Sequence, residues 1–335
     1  MKKVRWGILS TAKIAQNELI PALQRSANAE VLAIATSSNM KKAEEIAEKF
    51  NIEKTYDSYE KLLRNPNIDA VYIPLPNHLH KKWVIEAART KKHILCEKPA
   101  ALNVEEVLEM KKVCEEENVL FMEGFMYYFH PQHEKVKSMI ASGEIGDVTF
   151  MRAAFSFPLA NRENNIKMSK DKGGGSLYDV GCYGIHSIRN VLGMEPESVY
   201  VHAIQDKSYE VDTDVVGYLS FPQKIRGVFD ASFNMAKRAE YEVVGTKGRI
   251  LVPRAFRPDW YSGDAKIIVE KEEETKVISV QGDQYRNEVE YFSQAVLEGL
   301  SLNELKHNYE NTLRNVQVLE ACLKSADTRG KVKIY

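Results

Sequence analysis

Cysteines are few in this chain, and their spacing fits neither a metal site nor a redox pair. The 335 residues include four cysteines, and Cys96, Cys114, Cys182 and Cys322 form no CxxC pair and no metal-like interval. Isolated cysteines of this kind are typical of free thiols in a reducing compartment. We therefore expect a cytoplasmic protein that binds no metal.

Long apolar runs and an excess of positive charge are also missing. No apolar run approaches the roughly 20 residues that a membrane span needs. The run near the amino terminus is too short for a signal peptide, and Ser10–Lys13 interrupts it. The net charge is −1, so no basic surface for nucleic acid is indicated. We therefore expect a small-molecule substrate and neither a membrane nor a nucleic-acid partner.

Glycine is missing where a dinucleotide-binding fold usually needs it. Residues 4–9 predict a buried strand, and in that fold a GxGxxG turn follows, which brings the backbone close to a pyrophosphate. Small residues occupy all three glycine positions here. An ordinary strand-to-helix turn and a modified phosphate-binding turn both stay open on this pattern alone. The candidate cofactor-binding residues of the turn are Ser10, Thr11, Ala12, Lys13 and Ile14.

The first third of the chain alternates strand patterns with helix-length segments. This alternation predicts parallel strands with helical crossovers, hence a doubly wound α/β sheet over residues 1–123. The predicted strands cover residues 4–9, 31–36, 69–75, 93–97 and 119–123.

Residues 124–335 show a different pattern. Strand-like segments follow one another closely, joined by short turns such as 222–224 and 246–248. Such runs predict an α+β domain with a large, mostly antiparallel open sheet and helices on one face. The other face of such a sheet is either solvated or buried against a copy of the chain. We therefore expect a homodimer or homotetramer formed through this sheet.

The end of the second predicted strand bears on the choice of cofactor. An acidic residue at this place would hydrogen-bond the ribose 2′-OH of NAD. None is present, and hydroxyls and a lysine could hold the 2′-phosphate of NADP. We therefore expect NADP to be preferred over NAD, although the lysine could simply lie on a solvated helix face. The candidate residues are Thr36, Ser37, Ser38 and Lys41.

Two motifs supply candidate catalytic side chains. Residues 94–99 (ILCEKP) end an apolar strand at Lys98, and ligands bind at the carboxyl ends of such strands. Downstream, three glycines precede Asp179, Tyr183 and His186, which are spaced to share one face of a helix. Lysine, aspartate, tyrosine and histidine suit proton transfer with an alcohol oxygen, because a nearby lysine stabilises the phenolate. A helix cap and packed core residues would explain the second motif equally well.

Together with residues 74–80 (PLPNHLH) and 123–132 (EGFMYYFHPQ), these motifs resemble the Gfo/Idh/MocA oxidoreductases over nearly the whole chain. Tyr183, where many members carry histidine, is similar to the branch with dimeric dihydrodiol dehydrogenase and glucose–fructose oxidoreductase. The resemblance implies an N-terminal Rossmann domain that binds NAD(P) and a C-terminal domain for substrate and oligomer contacts. It also implies hydride transfer between the nicotinamide and a sugar, polyol or vicinal diol.

The same resemblance implies roles for individual residues. Lys98 would contact the reacting hydroxyl and the nicotinamide region, Tyr183 would be the general acid/base, and Asp179 would orient or bind. Further cofactor contacts would come from Leu75, Pro76, Asn77, His80 and Glu97. Possible substrate contacts, which could equally be packing residues, are Tyr127, His130 and His186.

One departure and two alternatives stay open at this point. Tyr128 stands where relatives are expected to have a basic residue, so substrate specificity could differ. The missing glycines leave room for a non-catalytic nucleotide-binding redox sensor or oligomer scaffold. Within enzymes, a reductase of carbonyl sugars is the alternative to a dehydrogenase.

Overall fold

A computed structural model describes residues 2–305 and 309–334 of the protein. The chain divides into two compact units, each built from two segments. The first unit comprises Met1–Met126 and Tyr285–Leu313, and the second comprises Tyr127–Gln284 and Arg314–Tyr335.

Six parallel strands form the sheet of the first unit. They are β1 (Val4–Leu9), β2 (Ala29–Ala35), β3 (Lys54–Tyr56), β4 (Ala70–Ile73), β5 (His93–Glu97) and β6 (Phe121–Gly124). Their order across the sheet is β3-β2-β1-β4-β5-β6, which is the strand order of the Rossmann fold. The predicted doubly wound sheet is thus confirmed. Strand β3 was not predicted, since three residues are too few to show a periodic pattern.

Five helices connect these strands, and three of them begin at a side chain that caps the helix. Each cap, Asn39, Ser58 or Asn103, accepts a hydrogen bond from the backbone N–H three residues later. The helices are α1 (Ile20–Arg25), α2 (Met40–Phe50), α3 (Tyr59–Leu63), α4 (His80–Arg89) and α5 (Val104–Glu117).

The second unit is built on a sheet of nine strands. They are β7 (Val148–Ser156), β8 (Ser198–Asp206), β9 (Val211–Ser220), β10 (Arg226–Ser232), β11 (Arg238–Gly245), β12 (Arg249–Val252), β13 (Asp264–Glu270), β14 (Thr275–Gln281) and β15 (Val332–Lys333). The order is β14-β13-β12-β11-β7-β10-β9-β8-β15. Only the β7–β10 pair is parallel among these described strands, so the mostly antiparallel prediction is confirmed. Strands β12 and β15 were not predicted.

Two helices, α6 (Pro131–Ala141) and α7 (Cys182–Leu192), belong to this unit. Helix α7 packs on the sheet over Phe229 of β10, which is fully buried. A Cβ atom at Gly217 of β9 would lie 2.2 Å from a ring carbon of Phe229, and one at Gly184 of α7 would lie 2.9 Å from its Cβ. Glycine is therefore required on both sides of this ring for the helix and sheet to approach so closely.

Buried His133 joins α6 to the same sheet. Its Nδ1 lies 2.9 Å from the Tyr241 hydroxyl of β11, and its Nε2 lies 3.1 Å from the Ala255 carbonyl oxygen. Burial lowers the pKa of His133 to about 3, so the folded protein holds the ring neutral near neutral pH.

The predicted boundary near residue 124 does not describe the first unit completely. Helix α8 (Gln284–Glu298) and the beginning of α9 (Tyr309–Thr328) return to it from the far end of the chain. On α8, Phe292 packs against Trp6 with ring centroids 5.5 Å apart, and Ser293 Oγ accepts a hydrogen bond from the Trp6 indole N–H. A parallel sheet needs apolar cover on both faces. The sequence pattern does not reveal which sheet a distant helix covers.

The four cysteines are buried free thiols, as predicted. Within residues 2–305 and 309–334, no helix has the length and apolar character to cross a membrane.

The neutral state of His133 predicts an acid-sensitive fold. As the pH falls from about 6.5 towards about 3, the unfolded chain takes up a proton at this residue that the folded chain does not, and the free energy of unfolding decreases. The loss is on the order of a few kcal/mol. We expect the midpoint of thermal unfolding of His133→Gln, measured across this range, to vary less with pH than that of the wild type.

His78→Gln, at an exposed position in the turn after β4, is the matched control and should follow the wild-type pH dependence. An equally steep pH dependence in His133→Gln would contradict this interpretation.

Candidate active site

The turn after β1 has a backbone shape that normally requires glycine. Ser10, at the first of the expected glycine positions, has φ 145°, in a region that L side chains rarely adopt. Its hydroxyl oxygen accepts a hydrogen bond from the Ala12 N–H at 3.0 Å. The side-chain amide of Gln16 donates a hydrogen bond to the carbonyl oxygen of Thr11 at 2.9 Å. The serine thus takes up the glycine-like geometry and secures it with its own side chain.

The helix that follows this turn begins at Lys13 and contains a π-helical stretch, Ala15–Leu19. Thr11, Ala12 and Ile14 are partly exposed, and Lys13 is exposed. Free backbone N–H groups and the positive end of the helix dipole lie at this end, as anion binding requires. The turn therefore retains the features that suit a pyrophosphate, although it contains no glycine.

Thr36 at the end of β2 has a structural role that was not predicted. It is buried, and its hydroxyl oxygen accepts hydrogen bonds from the N–H groups of Ser38 at 3.3 Å and Asn39 at 3.2 Å. Its hydroxyl therefore shapes the turn. The side chains of Ser37, Ser38 and Lys41 are exposed around it.

The turns after β4 and β5 are joined by His80. Its Nδ1 lies 2.9 Å from the carbonyl oxygen of Pro99, and its Nε2 lies 2.7 Å from that of Leu75. The ring is fully buried, and burial lowers its pKa to about 4. Both ring nitrogens face backbone carbonyl oxygens, so the structure corrects the predicted cofactor contact of His80: the ring is packed between two strand-end turns, and its single N–H donates to one of the two carbonyls.

Lys98 follows the last residue of β5, where the adjacent Glu97 is held by a short hydrogen bond. The Tyr72 hydroxyl on β4 donates to Glu97 Oε1 at 2.5 Å. Glu123 on β6, nearly fully buried, accepts the Ala100 N–H at 2.9 Å just beyond. Lys98 itself is half-buried at the carboxyl edge of the sheet, as predicted. Leu75 is buried in the turn after β4, and Pro76 and Asn77 beside it are partly exposed.

In the second unit, Tyr183 lies on α7 within a group of aromatic rings. It is 4% exposed, and its ring centroid lies 5.1 Å from that of Phe155, 5.5 Å from Phe256 and 5.8 Å from Tyr127. An apolar setting of this kind disfavours a free phenolate, so the phenol needs a nearby cation to act as a base.

The two candidate substrate residues nearest to Tyr183 bond to each other. The Tyr127 hydroxyl lies 2.5 Å from His186 Nδ1, and both side chains are almost completely buried. Burial is also the main reason why the pKa of Tyr127 lies well above its usual range. The pair therefore belongs to the buried aromatic cluster that packs around Tyr183.

His130 is a structural cap, which corrects its candidate role in substrate binding. Its Nδ1 accepts the Gln132 N–H at the start of α6, and its Nε2 lies 3.1 Å from the Gly263 carbonyl oxygen. The ring is fully buried, and burial lowers its pKa. Neither ring nitrogen is directed to a substrate.

Asp179 lies in a π-helical stretch, Leu177–Gly181, immediately before α7. Its carboxylate pairs with Lys167 Nζ at 2.5 Å. Sequence reasoning missed Lys167. Two short irregular segments separate it from Asp179 in the chain, and they show no periodic pattern that would indicate the pairing. The Asp179 side chain is 16% exposed, so this ion pair is only partly open to solvent.

Buried Asp212 on β9 fixes the loop that precedes this stretch. Its Oδ2 accepts hydrogen bonds from Ser176 Oγ and Leu177 N–H, both at 2.7 Å. Gly175 has φ 113°, and a Cβ atom there would lie 2.3 Å from Asp212 Oδ1. The glycine run and Asp212 therefore act together. Sequence reasoning missed Asp212, because its partners lie some 35 residues earlier in the chain and no local pattern joins them.

Family models match both halves of the chain. Residues 4–125 match a model described as an oxidoreductase family with an NAD-binding Rossmann fold, and residues 133–251 match the GFO/IDH/MocA C-terminal domain.

Individual relatives cover nearly the full length. A D-xylose 1-dehydrogenase (NADP(+)) from Haloferax volcanii is 35% identical over 98% of this chain and 99% of its own. A trans-1,2-dihydrobenzene-1,2-diol dehydrogenase from Xenopus tropicalis is 32% identical over 88% of this chain and 90% of its own. The crystal structure of a 3-ketoreductase from Actinomadura kijaniata with NADP and TDP-benzene superposes with a TM-score of 0.91, at 29% identity over 97% of this chain and 98% of that one. The chain therefore belongs to the Gfo/Idh/MocA family of NAD(P)-binding oxidoreductases, as its motifs predicted.

Proposed function

We propose that this protein transfers hydride between NADP and a hydroxyl or keto carbon of a sugar, polyol or vicinal diol. The observation that carries the proposal is Lys98 at the carboxyl edge of a Rossmann-ordered sheet, next to the fixed Glu97. The named relatives act on a pentose, a diol and a keto sugar, which supports this substrate class. The first unit would bind the cofactor, and the second would contribute substrate groups.

The turn at Ser10–Ala12 fits the pyrophosphate of such a cofactor, since it combines a glycine-like backbone with a helix start. Bound NADP would supply the hydride acceptor for oxidation or the donor for reduction. The protein's own groups handle the proton. In oxidation the Tyr183 phenolate takes the substrate hydroxyl proton, and in reduction the phenol returns it.

Lys98 would stabilise the negative charge that develops on the substrate oxygen. The Lys167–Asp179 pair stands one helical turn before Tyr183, so it would orient substrate hydroxyls instead of moving the proton. A redox sensor or oligomer scaffold would bind the cofactor without turnover. It would not require both a strand-end lysine and a buried tyrosine.

Replacing either proposed catalytic residue should slow the chemical step strongly, and the Tyr183 substitution should leave cofactor binding intact. Lys98→Met and Tyr183→Phe are each expected to lower kcat by about 100-fold or more, because each removes charge stabilisation or proton transfer. Turnover is measured by nicotinamide absorbance on a panel of pentoses, hexoses, keto sugars and diols, in both directions. The faster direction distinguishes a dehydrogenase from a reductase.

Lys82→Met and Tyr261→Phe, at exposed positions, are the matched controls and should keep wild-type rates. Wild-type protein that binds NADPH but turns over no member of the panel would favour the sensor or scaffold. Undiminished turnover in Lys98→Met would exclude the mechanism.

We propose that NADP is preferred because Ser37, Ser38 and Lys41 present hydroxyls and a cation at the end of β2, where no carboxylate stands. The Haloferax relative is named as an NADP(+) dehydrogenase, and the Actinomadura ketoreductase was crystallised with NADP. Lys41→Ala should weaken NADPH binding by about tenfold and leave NADH binding unchanged, since only NADPH has a 2′-phosphate. Titrations followed by nicotinamide fluorescence measure both.

Lys49→Ala, in the last turn of the same helix, is the control. Equal affinities of the wild type for NADPH and NADH would refute the preference.

We propose a homodimer or homotetramer formed through the outer face of the nine-stranded sheet. Four large apolar side chains are exposed on that face, and cross-strand pairing places Tyr200 directly opposite Tyr218. Ile204 and Val216, which are 57% and 50% exposed, extend the apolar surface along the same two strands. A surface of this kind usually lies against a partner.

Light scattering at micromolar concentration should give the mass of a dimer or tetramer. Val216→Asp should shift it towards the monomer, because a carboxylate would be buried at the contact. Leu108→Asp, at an exposed position on α5 of the first unit, is the control and should not change the mass. A monomeric wild type would contradict the proposal.

A cytoplasmic location is also proposed. It is supported by four buried thiols that form no disulfide.

A further inference from the structure

Besides Glu97 and Glu123, a third carboxyl group, that of Glu288, is buried in the first unit beneath the sheet that carries Lys98. In the parallel register, Tyr72 stands opposite Ile8 on one side and opposite Leu95 on the other. Side chains alternate along a strand, so Trp6, Ile8, Tyr72 and Glu97 lie on the same face of the sheet. The Tyr72–Glu97 hydrogen bond is consistent with this placement.

Helix α8 covers that face. Phe292 and Ser293 contact Trp6 in the middle of β1. Glu288 precedes Phe292 by four residues, so it projects from the same side of the helix, one turn away. It is 2% exposed, although nothing in the proposed mechanism uses it.

The Glu288 carboxyl group is unusual for a buried residue. Among the residues that the structure describes, its Oε1 atom has no hydrogen-bond partner. Buried polar atoms are almost always paired, so an exception calls for an explanation. Burial, with a smaller contribution from the charge of Glu97, holds the pKa of Glu288 well above its usual range. Burial therefore favours the protonated, uncharged form of this group.

The surrounding titratable groups point to a single shared charge. Burial first, and then Glu97, raises the pKa of Tyr72 well above its usual range, with further contributions from Tyr285 and Glu288. These groups face the site from β4, β5 and α8. Of these groups, only Glu97 is placed at the edge of the sheet, one residue before Lys98. One negative charge next to the lysine is the arrangement that such a cluster favours.

We propose that Glu288 is a positioning residue for the oxidoreductase site, which supports the Glu97 carboxylate from below and thereby holds the strand end that presents Lys98. This inference rests on the proposed function. Tyr72 restrains one oxygen of Glu97, and Glu288 supplies a polar but uncharged neighbour, where an ionised side chain would repel the carboxylate and an aliphatic one would leave it without polar surroundings. A displaced Glu97 would move the backbone of the residue that follows it.

Two substitutions separate positioning from a purely structural role. Glu288→Leu keeps the approximate volume and removes an unpaired buried oxygen, so folding stability should be retained or improved. We nevertheless expect kcat to fall by about tenfold or more and NADPH affinity to weaken several-fold, because the strand end loses its support. Glu288→Gln keeps a neutral amide donor and should stay within about twofold of the wild type in both quantities at neutral pH.

The pH dependence gives a readout that needs no substrate. The unfolded chain ionises Glu288 near its ordinary pKa while the folded chain keeps it protonated, so the wild type loses stability as the pH rises above about 4.5. Glu288→Gln lacks this loss. Its stability advantage over the wild type should therefore grow as the pH rises above about 4.5. The alkaline fall of kcat/KM should also begin at higher pH in this variant.

Glu298→Gln, exposed at the end of the same helix, is the control for all three measurements. Wild-type kcat, NADPH affinity and pH profile in Glu288→Leu would overturn the proposal. If the wild type turns over no sugar or diol, the proposed function fails, and NADPH affinity in Glu288→Leu then decides the positioning role by itself.

Discussion

The common direction of the six strands in the first unit is the constraint on which the site depends. Parallel strands bring their carboxyl ends, and hence the turns that follow them, to one edge of the sheet. The turns at Ser10, Thr36, Leu75 and Lys98 therefore share an edge although they are separated in sequence. The same constraint demands that both faces be covered, which brings a helix back from the far end of the chain.

Short-range polar bonds then set the shape of each turn. Ser10 and Thr36 use their hydroxyls on nearby backbone N–H groups, and the ring of His80 is packed between two turns against their carbonyl oxygens. In the second unit, Asp212 does the same for the loop before Tyr183. Residues that a motif would assign to ligand contact thus hold backbone. At Ser10 such a bond accompanies a glycine-like backbone in a turn that contains no glycine.

Several features were predictable because their signals are local. Helix caps at Ser58 and Asn103, the alternation of the first third and the strand end at Lys98 each depend on a few adjacent residues. The resemblance carried by Lys98 and Tyr183 was confirmed at the level of the family. His130 and His80, by contrast, have the same residue type whether they contact a ligand or a carbonyl. Only their packing distinguishes the two cases.

The sequence by itself determined the two-part architecture, the sheet types and the family, since periodicity and short motifs encode them directly. Tertiary structure decided the pairs that join distant segments: Lys167 with Asp179, Asp212 with the glycine loop, and α8 with the first sheet. These contacts have no local pattern. They arise because apolar faces must be buried and buried polar groups must find partners, and the partner is whichever group the fold brings within reach.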